Sequence, residues 1–438
     1  MVLIRQLAEG LINRLRESGT GQAAALAAAM IVSNVIALII SVVFARVVND
    51  YGALAALLSY LVILTVVGQA MQVATARDGV LGKLGTGTDL LATLQSWAFA
   101  LLCFSVLATV VSVFARQLIA SLVGVPHQPW TAAAGIPGGC LYLWLCILRG
   151  ALQGTSDYRS VALSLIGEQA SRLLTGTAMA VAGLGLGGAF LGSLAAWVLM
   201  CWYCSVKLYQ AQASPGYRRW QLTRKGGSVA LGLWRHVRLA AVPIVALGII
   251  QLLQNVDLIM AKHRFDDRIA SSYAVAAVAA KVLIWVAMGA SFHLVPETSR
   301  LSSEAADTRP VLIKTLGIIV VCAVPCMLIF AVGAHPLLSV VFGPKRAVAS
   351  GALLPLGAAF TMLAATYLAV QYMLAVRRIW FLAAIGALAL AEPFLLAAGP
   401  DDPNGFALLV LAIQAVGAVI IYLIALARQN SPSWVPSP

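Results

Sequence analysis

Hydrophobic residues run along this chain in long, nearly unbroken blocks, not in the alternation of a sheet or the one-sided stripe of a soluble helix. Twelve blocks reach the roughly 20 residues a helix needs to cross a bilayer: 22–45, 52–73, 90–114, 131–153, 159–182, 186–206, 239–261, 270–294, 311–333, 350–375, 380–398 and 404–427. The alternating segments of about ten residues that build membrane barrels do not occur. Connections are short, the longest running from about Lys207 to Arg238, which is too little chain to bury a soluble core. The pattern predicts an all-α membrane protein with twelve transmembrane helices and excludes a large catalytic domain outside the bilayer. Ahead of the first block, residues 2–17 place Ile4, Leu7, Leu11 and Leu15 on one face and Arg5, Glu9, Arg14, Arg16 and Glu17 around the rest. This segment is expected to lie on the membrane surface as an amphipathic helix, without the cleavage site of a secretory signal.

Composition narrows the class. The 438 residues are 61% hydrophobic and 10% charged, with mean hydropathy +0.92, where soluble chains carry about 25% charged residues. Soluble enzymes, disordered proteins and nucleic-acid-binding modules are excluded. The net charge of +13 reflects 29 Lys and Arg against 16 Asp and Glu, and basic residues collect in the cytoplasmic loops of membrane proteins. With the amino terminus inside, twenty Lys and Arg fall on the cytoplasmic side and seven opposite, with Arg172 and Lys281 inside spans. Both termini are therefore expected inside, with anionic membrane lipids facing the basic side. Seven cysteines (103, 140, 146, 201, 204, 322, 326) lie in apolar stretches and read as packing residues. Residues 183–188 match the nucleotide fingerprint GxGxxG, but between two membrane spans they read as a turn.

The chain also repeats itself. Phe44, Ala45 and Arg46, followed by Asn49 and Asp50, are echoed by Met260, Ala261 and Lys262, followed by Asp266 and Asp267. Residues 118–124 are echoed by 337–343, so the offsets are 216 and 219 residues. The repeat predicts two pseudo-symmetric six-helix bundles around a central cavity, related by an axis along the membrane normal. The expected organisation is a bundle over 1–206, a basic linker over 207–238, a second bundle over 239–427 and a tail over 428–438. Such bundles commonly rock about a pathway between them, which favours a transporter without cofactor, driven by a coupling proton or sodium ion.

A charge at a helix centre costs roughly 2.5–3.5 kcal/mol on insertion scales, so ionisable residues inside spans are candidates for function. Glu168 and Arg172 stand one turn apart on span five, either as a neutralising pair or as a cation facing an anionic substrate. Lys281 sits near the middle of span eight with no acidic neighbour following on its helix. Span seven carries Gln251, Gln254, Asn255 and Asp257, and Asp257 is expected to meet Lys262, Lys281 or a coupling ion. Glu392 precedes Pro393 in span eleven. Asn34 on span one, with Gln69 and Gln72 on span two, fit a lined cavity. Trp144, Trp285, Tyr367 and Tyr372 offer flat faces for sugar rings. Pro137, Pro243, Pro325, Pro355 and Pro393 fall inside spans, where proline disturbs the backbone ladder.

Four stretches carry a resemblance: residues 44–54 (FARVVNDYGAL), 148–154 (LRGALQG), 255–262 (NVDLIMAK) and 341–344 (VFGP). In this order they resemble the polysaccharide and oligosaccharide flippases of the multidrug/oligosaccharidyl-lipid/polysaccharide exporter superfamily. The resemblance implies a flippase for polyprenyl-diphosphate-linked glycan in the bacterial cytoplasmic membrane, working beside a glycan polymerase or glycosyltransferases. It places Arg46 and Arg149 on basic positions and Asp257 on an acidic position of that family. Arg46, Arg149, Arg172 and Lys281 are then expected to replace the water around a diphosphate at successive depths. Two other readings stand beside it: a multidrug antiporter of the same fold, which wants a cavity rich in carboxylates, and a membrane-embedded glycan polymerase or glycosyltransferase, which wants longer outer loops.

Overall fold

The computed structural model describes residues 19–85, 87–212, 234, 237–238, 240–303, 307–376 and 378–426. The surface helix expected over 2–17, most of the 207–238 linker and the 428–438 tail lie outside these residues. Regular structure among the described residues is helical throughout. The first half holds α1 (Gly19–Val47), α2 (Tyr51–Val80), α3 (Thr88–Phe114), α4 (Arg116–Val123), α5 (Pro129–Ala133), α6 (Gly135–Gly154), α7 (Tyr158–Met179) and α8 (Gly185–Gln212). The second holds α9 (Ala241–Arg264), α10 (Asp267–Ala280), α11 (Val282–Ser303), α12 (Arg309–Phe342), α13 (Leu353–Ala375), α14 (Phe381–Ala397) and α15 (Pro403–Leu426).

Each of the twelve apolar blocks has become a membrane-length unit. Ten stretches are long and apolar enough to cross a bilayer. One of them, Tyr158–Ala211, is 54 residues long and doubles back, and Phe381–Ala397 is a shorter apolar helix that supplies the remaining span. The doubling back occurs in the GxGxxG stretch, where Gly183 and Gly185 adopt φ of 101° and 50°, a conformation that favours glycine. The chain reverses at Gly183–Gly185, as expected of a connection, and residues 185–188 already form the first turn of α8.

Two expectations about regularity change. Span eight is not one helix, because α10 ends at Ala280 and α11 begins at Val282, with Lys281 at the break. Pro137, Pro243 and Pro355 occupy the third residue of α6, α9 and α13. The first turn has no intrahelical acceptor for its N–H groups, so proline is tolerated there without a kink. Pro325, Pro336 and Pro393 stand in helix interiors, with the backbone leaving helical angles at Gly333 of α12.

The repeat is visible atom by atom. Asp50 caps α2 by accepting from the Ala53 N–H at 3.0 Å, and Asp266 caps α10 by accepting from the Ile269 N–H at 2.7 Å. Within the first half α2 packs on α6, and α7 packs on α8 and α1; within the second α13 packs on α15 and α11, and α9 packs on α14. The helices α3 and α12 expose rows of large apolar side chains such as Phe99, Leu107, Val321 and Val332, as lipid-facing surfaces do. The halves meet where α2 lies along α9 and α10. Gly52 allows the closest approach: its N–H donates to Ser271 Oγ at 2.9 Å, and a Cβ there would stand 2.9 Å from Ser271 N. This seam lies at the end of the molecule where α1, α4, α9 and α12 finish, called here the far end.

The crossing of α7 and α8 is tighter still, since a Cβ on Gly192 would lie 2.2 Å from the Gly176 Cα. Gly192→Val is expected to destabilise the fold by more than the roughly 1–3 kcal/mol of ordinary overpacking, read as a lower midpoint of thermal unfolding in detergent. Gly289→Ala in α11, where a Cβ meets nothing within 4 Å, is the control and should leave the midpoint unchanged or raised.

Candidate functional site

The first half holds its charge in a dry network. Arg149 of α6 is fully buried, and its Nη2 lies 2.8 Å from Glu168 Oε2 on α7. The same guanidinium donates from Nε to Ser164 Oγ at 2.8 Å and from Nη2 to the Ser164 carbonyl at 2.9 Å. Trp197 of α8 completes the carboxylate by donating from Nε1 to Oε1 at 2.8 Å. This corrects two expectations. The partner of Glu168 is Arg149, not Arg172, and Arg149 is spent on α7, not open to a substrate. Two polar residues inside one half need one another more than they need a ligand, because a buried charge left alone is strongly destabilising.

Arg172, one turn beyond Glu168, is different. It is half-buried, forms no hydrogen bond or ion pair with a described residue, and its Nε is sealed from solvent without a partner. The residues that act on it electrostatically are Glu168, already engaged, and Tyr51 at the start of α2.

The second half gathers a chain of polar groups around the break at Lys281. The ammonium donates to Asn255 Oδ1 at 3.2 Å, lies 3.9 Å from Asp257 Oδ1 and sits 5.4 Å from the centroid of the Phe360 ring. Asn255 is oriented by donating to the Gln251 carbonyl at 2.9 Å and to Gln251 Oε1 at 3.1 Å. Tyr273 donates to Asp257 Oδ2 at 3.4 Å. Glu392 of α14 is fully buried and accepts from Gln414 at 3.1 Å, while its Oε2 has no partner. Gln414 also donates to the Leu253 carbonyl at 3.1 Å, tying α15 to α9. Lys281 is therefore not an unpaired cation: it faces the two buried carboxylates Asp257 and Glu392. Among the described residues that set holds two carboxyl groups and one ammonium.

The other candidates separate into available and committed. Asn34, Gln69, Gln254, Trp144 and Trp285 are half-buried. Gln72 donates to Gln153 at 3.3 Å inside the first half. Tyr367 and Tyr372 are buried, the first hydrogen-bonded by Gln371 at 2.8 Å and the second to Thr308 at 2.7 Å. Neither ring offers an open face for a sugar, contrary to expectation. Arg46 leaves the candidate cavity too: it stands at the far end, and its Nη2 donates to the Val340 and Val341 carbonyls of the other half at 2.8 Å each.

Four contributors were not singled out in the sequence: Ser164, Trp197, Tyr273 and Gln414. Gln414 had a signal, as the one amide in the middle of span twelve. Ser164, Trp197 and Tyr273 are ordinary in membrane helices and become legible only through their partners.

Two six-helix bundles thus meet along a seam, each with ionisable groups inside. No family model and no curated protein matches the chain. Solved structures do. The chain is similar to a structure described as lipid II flippase MurJ in an inward closed conformation, at 15% identity and TM-score 0.72, over 91% of this chain and 87% of that one. It is similar to an inward-facing multidrug resistance MATE family transporter of the MOP superfamily at 12% identity and TM-score 0.67, over 90% and 93%. A third, MATE in the bent conformation, is 14% identical with TM-score 0.60 over 94% and 96%. The chain thus shares the fold of these structures, the fold that the four sequence stretches implied.

Removing the carboxylate of Glu168 leaves Arg149 charged and buried. Glu168→Ala is expected to cost about 3–5 kcal/mol, the range for breaking a buried pair from one side. The measurement is thermal unfolding of the purified protein in detergent.

Proposed function

We propose that this chain is a flippase that carries polyprenyl-diphosphate-linked oligosaccharide, a cell-envelope glycan or peptidoglycan precursor, across the bacterial cytoplasmic membrane by alternating access. Both termini then lie in the cytoplasm, and the far end faces outward. The observation that carries the reading is Arg172, a guanidinium inside the membrane with no hydrogen bond or ion pair among the described residues. A diphosphate must shed water to cross, and a preorganised planar cation takes the place of that hydration. The fold supports the reading because a lipid II flippase shares it. Asn34, Gln69, Gln254, Trp144 and Trp285, all partly open, are the remaining candidates for headgroup and sugar contacts. The lipid tail stays in the bilayer. A glycan polymerase or glycosyltransferases would act before or after this step, and the chain itself performs no covalent chemistry.

For the coupling ion we propose the second half. Two carboxylates, Asp257 and Glu392, share one ammonium, Lys281, so a proton or a sodium ion entering there balances the set. Glu392 Oε2, buried and unpartnered, is the atom that receives it. The same carboxylates favour a second reading, a multidrug antiporter, since the fold is equally that of multidrug transporters and acidic groups attract cationic drugs.

Arg172→Ala is expected to abolish transport at unchanged expression, with Arg172→Lys retaining part of it, and lipid-linked glycan accumulating in the inner leaflet of cells that depend on the variant. Full activity of Arg172→Ala removes it from the site. Altered drug resistance with normal glycan distribution decides for the antiporter. Glu392→Gln is expected to uncouple transport from the ion gradient while equilibrium binding of lipid-linked glycan persists, measured in proteoliposomes with imposed proton or sodium gradients.

A further inference from the structure

Along α7 the interior charges share one side. At 100° per residue, Glu168 lies about 180° and Arg172 about 220° around the helix from Arg159. Arg159 and Leu163, one turn apart, therefore mark the opposite face, turned away from the charge network of the first half. On that face, at the end of the molecule opposite the far end, the start of α7 and the end of α8 border a cavity of about 500 Å³. Its size falls in the roughly 300–1,000 Å³ range of small-ligand sites.

Arg159 and Lys207 line this cavity. Arg159 is exposed and forms no hydrogen bond or ion pair with a described residue. Lys207 of α8 is half-buried. Its ammonium lies over the Tyr203 ring, 5.9 Å from the centroid, and donates to Gln210 Oε1 at 3.5 Å. Neither contact brings a negative charge. The carboxylate in the lining is Asp157, which caps α7 by accepting from the Ser160 N–H at 3.1 Å and forms no ion pair with either cation. The cavity thus carries net positive charge beside a helix start, where backbone N–H groups also favour anions. One turn deeper in the membrane the wall becomes apolar: Leu163 follows Arg159, Leu199 precedes Tyr203, and both are exposed.

We propose that this cavity is a binding site for an anionic phospholipid, its phosphate held between Arg159 and Lys207 and its acyl chains laid over Leu163 and Leu199. The inference goes beyond the proposed function and rests on the chain spanning a membrane; with the far end outward, the lipid belongs to the cytoplasmic leaflet. Basic pockets between membrane helices on that side suit such headgroups, and a guanidinium meets two phosphate oxygens at once. The occupant is a bilayer lipid, because a polar wall and then an apolar wall follow in the order of a headgroup and its tails. The face is turned away from Arg172, so the bound lipid is a resident and not the passenger. The chain that follows α8 does not complement the site: residues 213–238 contain Arg218, Arg219, Arg224 and Lys225 and no acidic residue, a charge of the same sign as the cavity. A seated lipid joins the start of α7 to the end of α8, where the first half leads into the basic linker.

The test uses the full chain purified in neutral detergent, with phosphatidylglycerol or phosphatidylcholine of the same acyl chains added, and reads lipid binding by native mass spectrometry. Phosphatidylglycerol should bind more tightly. Arg159→Gln and Lys207→Gln should each weaken its tightest binding about fivefold, the effect of one cation at a membrane surface. Asp157→Asn keeps a capping side chain and removes the negative charge; it should strengthen binding by a similar factor, a gain that no misfolded chain produces. Lys314→Gln, which removes an exposed cation at the same end of the second half, should leave binding unchanged. Equal affinity for the two lipids overturns the proposal, as does full binding in Arg159→Gln or Lys207→Gln, or an equal loss in Lys314→Gln. Inorganic phosphate that displaces the lipid at equal concentration assigns the site to free phosphate and overturns it as a lipid site. A chain that binds as expected but moves no lipid-linked glycan overturns the flippase reading only; one that flips glycan without preferring phosphatidylglycerol overturns the lipid site only.

Discussion

A charge inside a bilayer must be met by another polar group, and most of this structure follows from how each is met. Desolvation is too costly to leave an ion alone in the low-dielectric interior. Arg149 is met by Glu168, Ser164 and, through the carboxylate, Trp197, which locks α6, α7 and α8 together. Lys281 is met by Asn255 and Asp257, which locks the broken span eight against α9. Glu392 is met by Gln414, which joins α14, α15 and α9. The interior charges are thus the rivets of each half, and their pairing decides which helices are neighbours.

The same constraint identifies what is left over. Arg172 has no partner among the described residues, and the second half holds two carboxylates for one ammonium. These are the interior groups whose pairing is incomplete among the described residues; under the proposed function an anionic headgroup and a proton or cation complete them.

Where the halves touch, the physics changes from pairing of buried ions to capping of helix ends. Gly52 brings backbone against backbone, and Arg46, Arg346 and His263 each reach carbonyls of the opposite half. These contacts are exposed and individually weak, so they hold a closed end without fusing it. The seam can part at a cost the interior networks do not pay.

The primary structure by itself determined the twelve spans, the absence of room for a soluble domain, the repeat and the chain reversal at Gly183–Gly185, because apolar block length and glycine at positive φ are local properties. It also singled out nearly every ionisable residue that matters, since a charge within an apolar block is conspicuous in one dimension. Their partners were another matter. Glu168 is one turn from Arg172 in sequence yet binds Arg149, whereas Asp257, for which Lys262, Lys281 and a coupling ion stood as alternatives, lies beside Lys281. Arg46 read as a cavity cation, but its reach is to carbonyls nearly 300 residues away. Pairing across helices depends on rotation and tilt that no linear pattern encodes, and only the packed bundle decided which charges are spent on holding the protein together and which remain free to act.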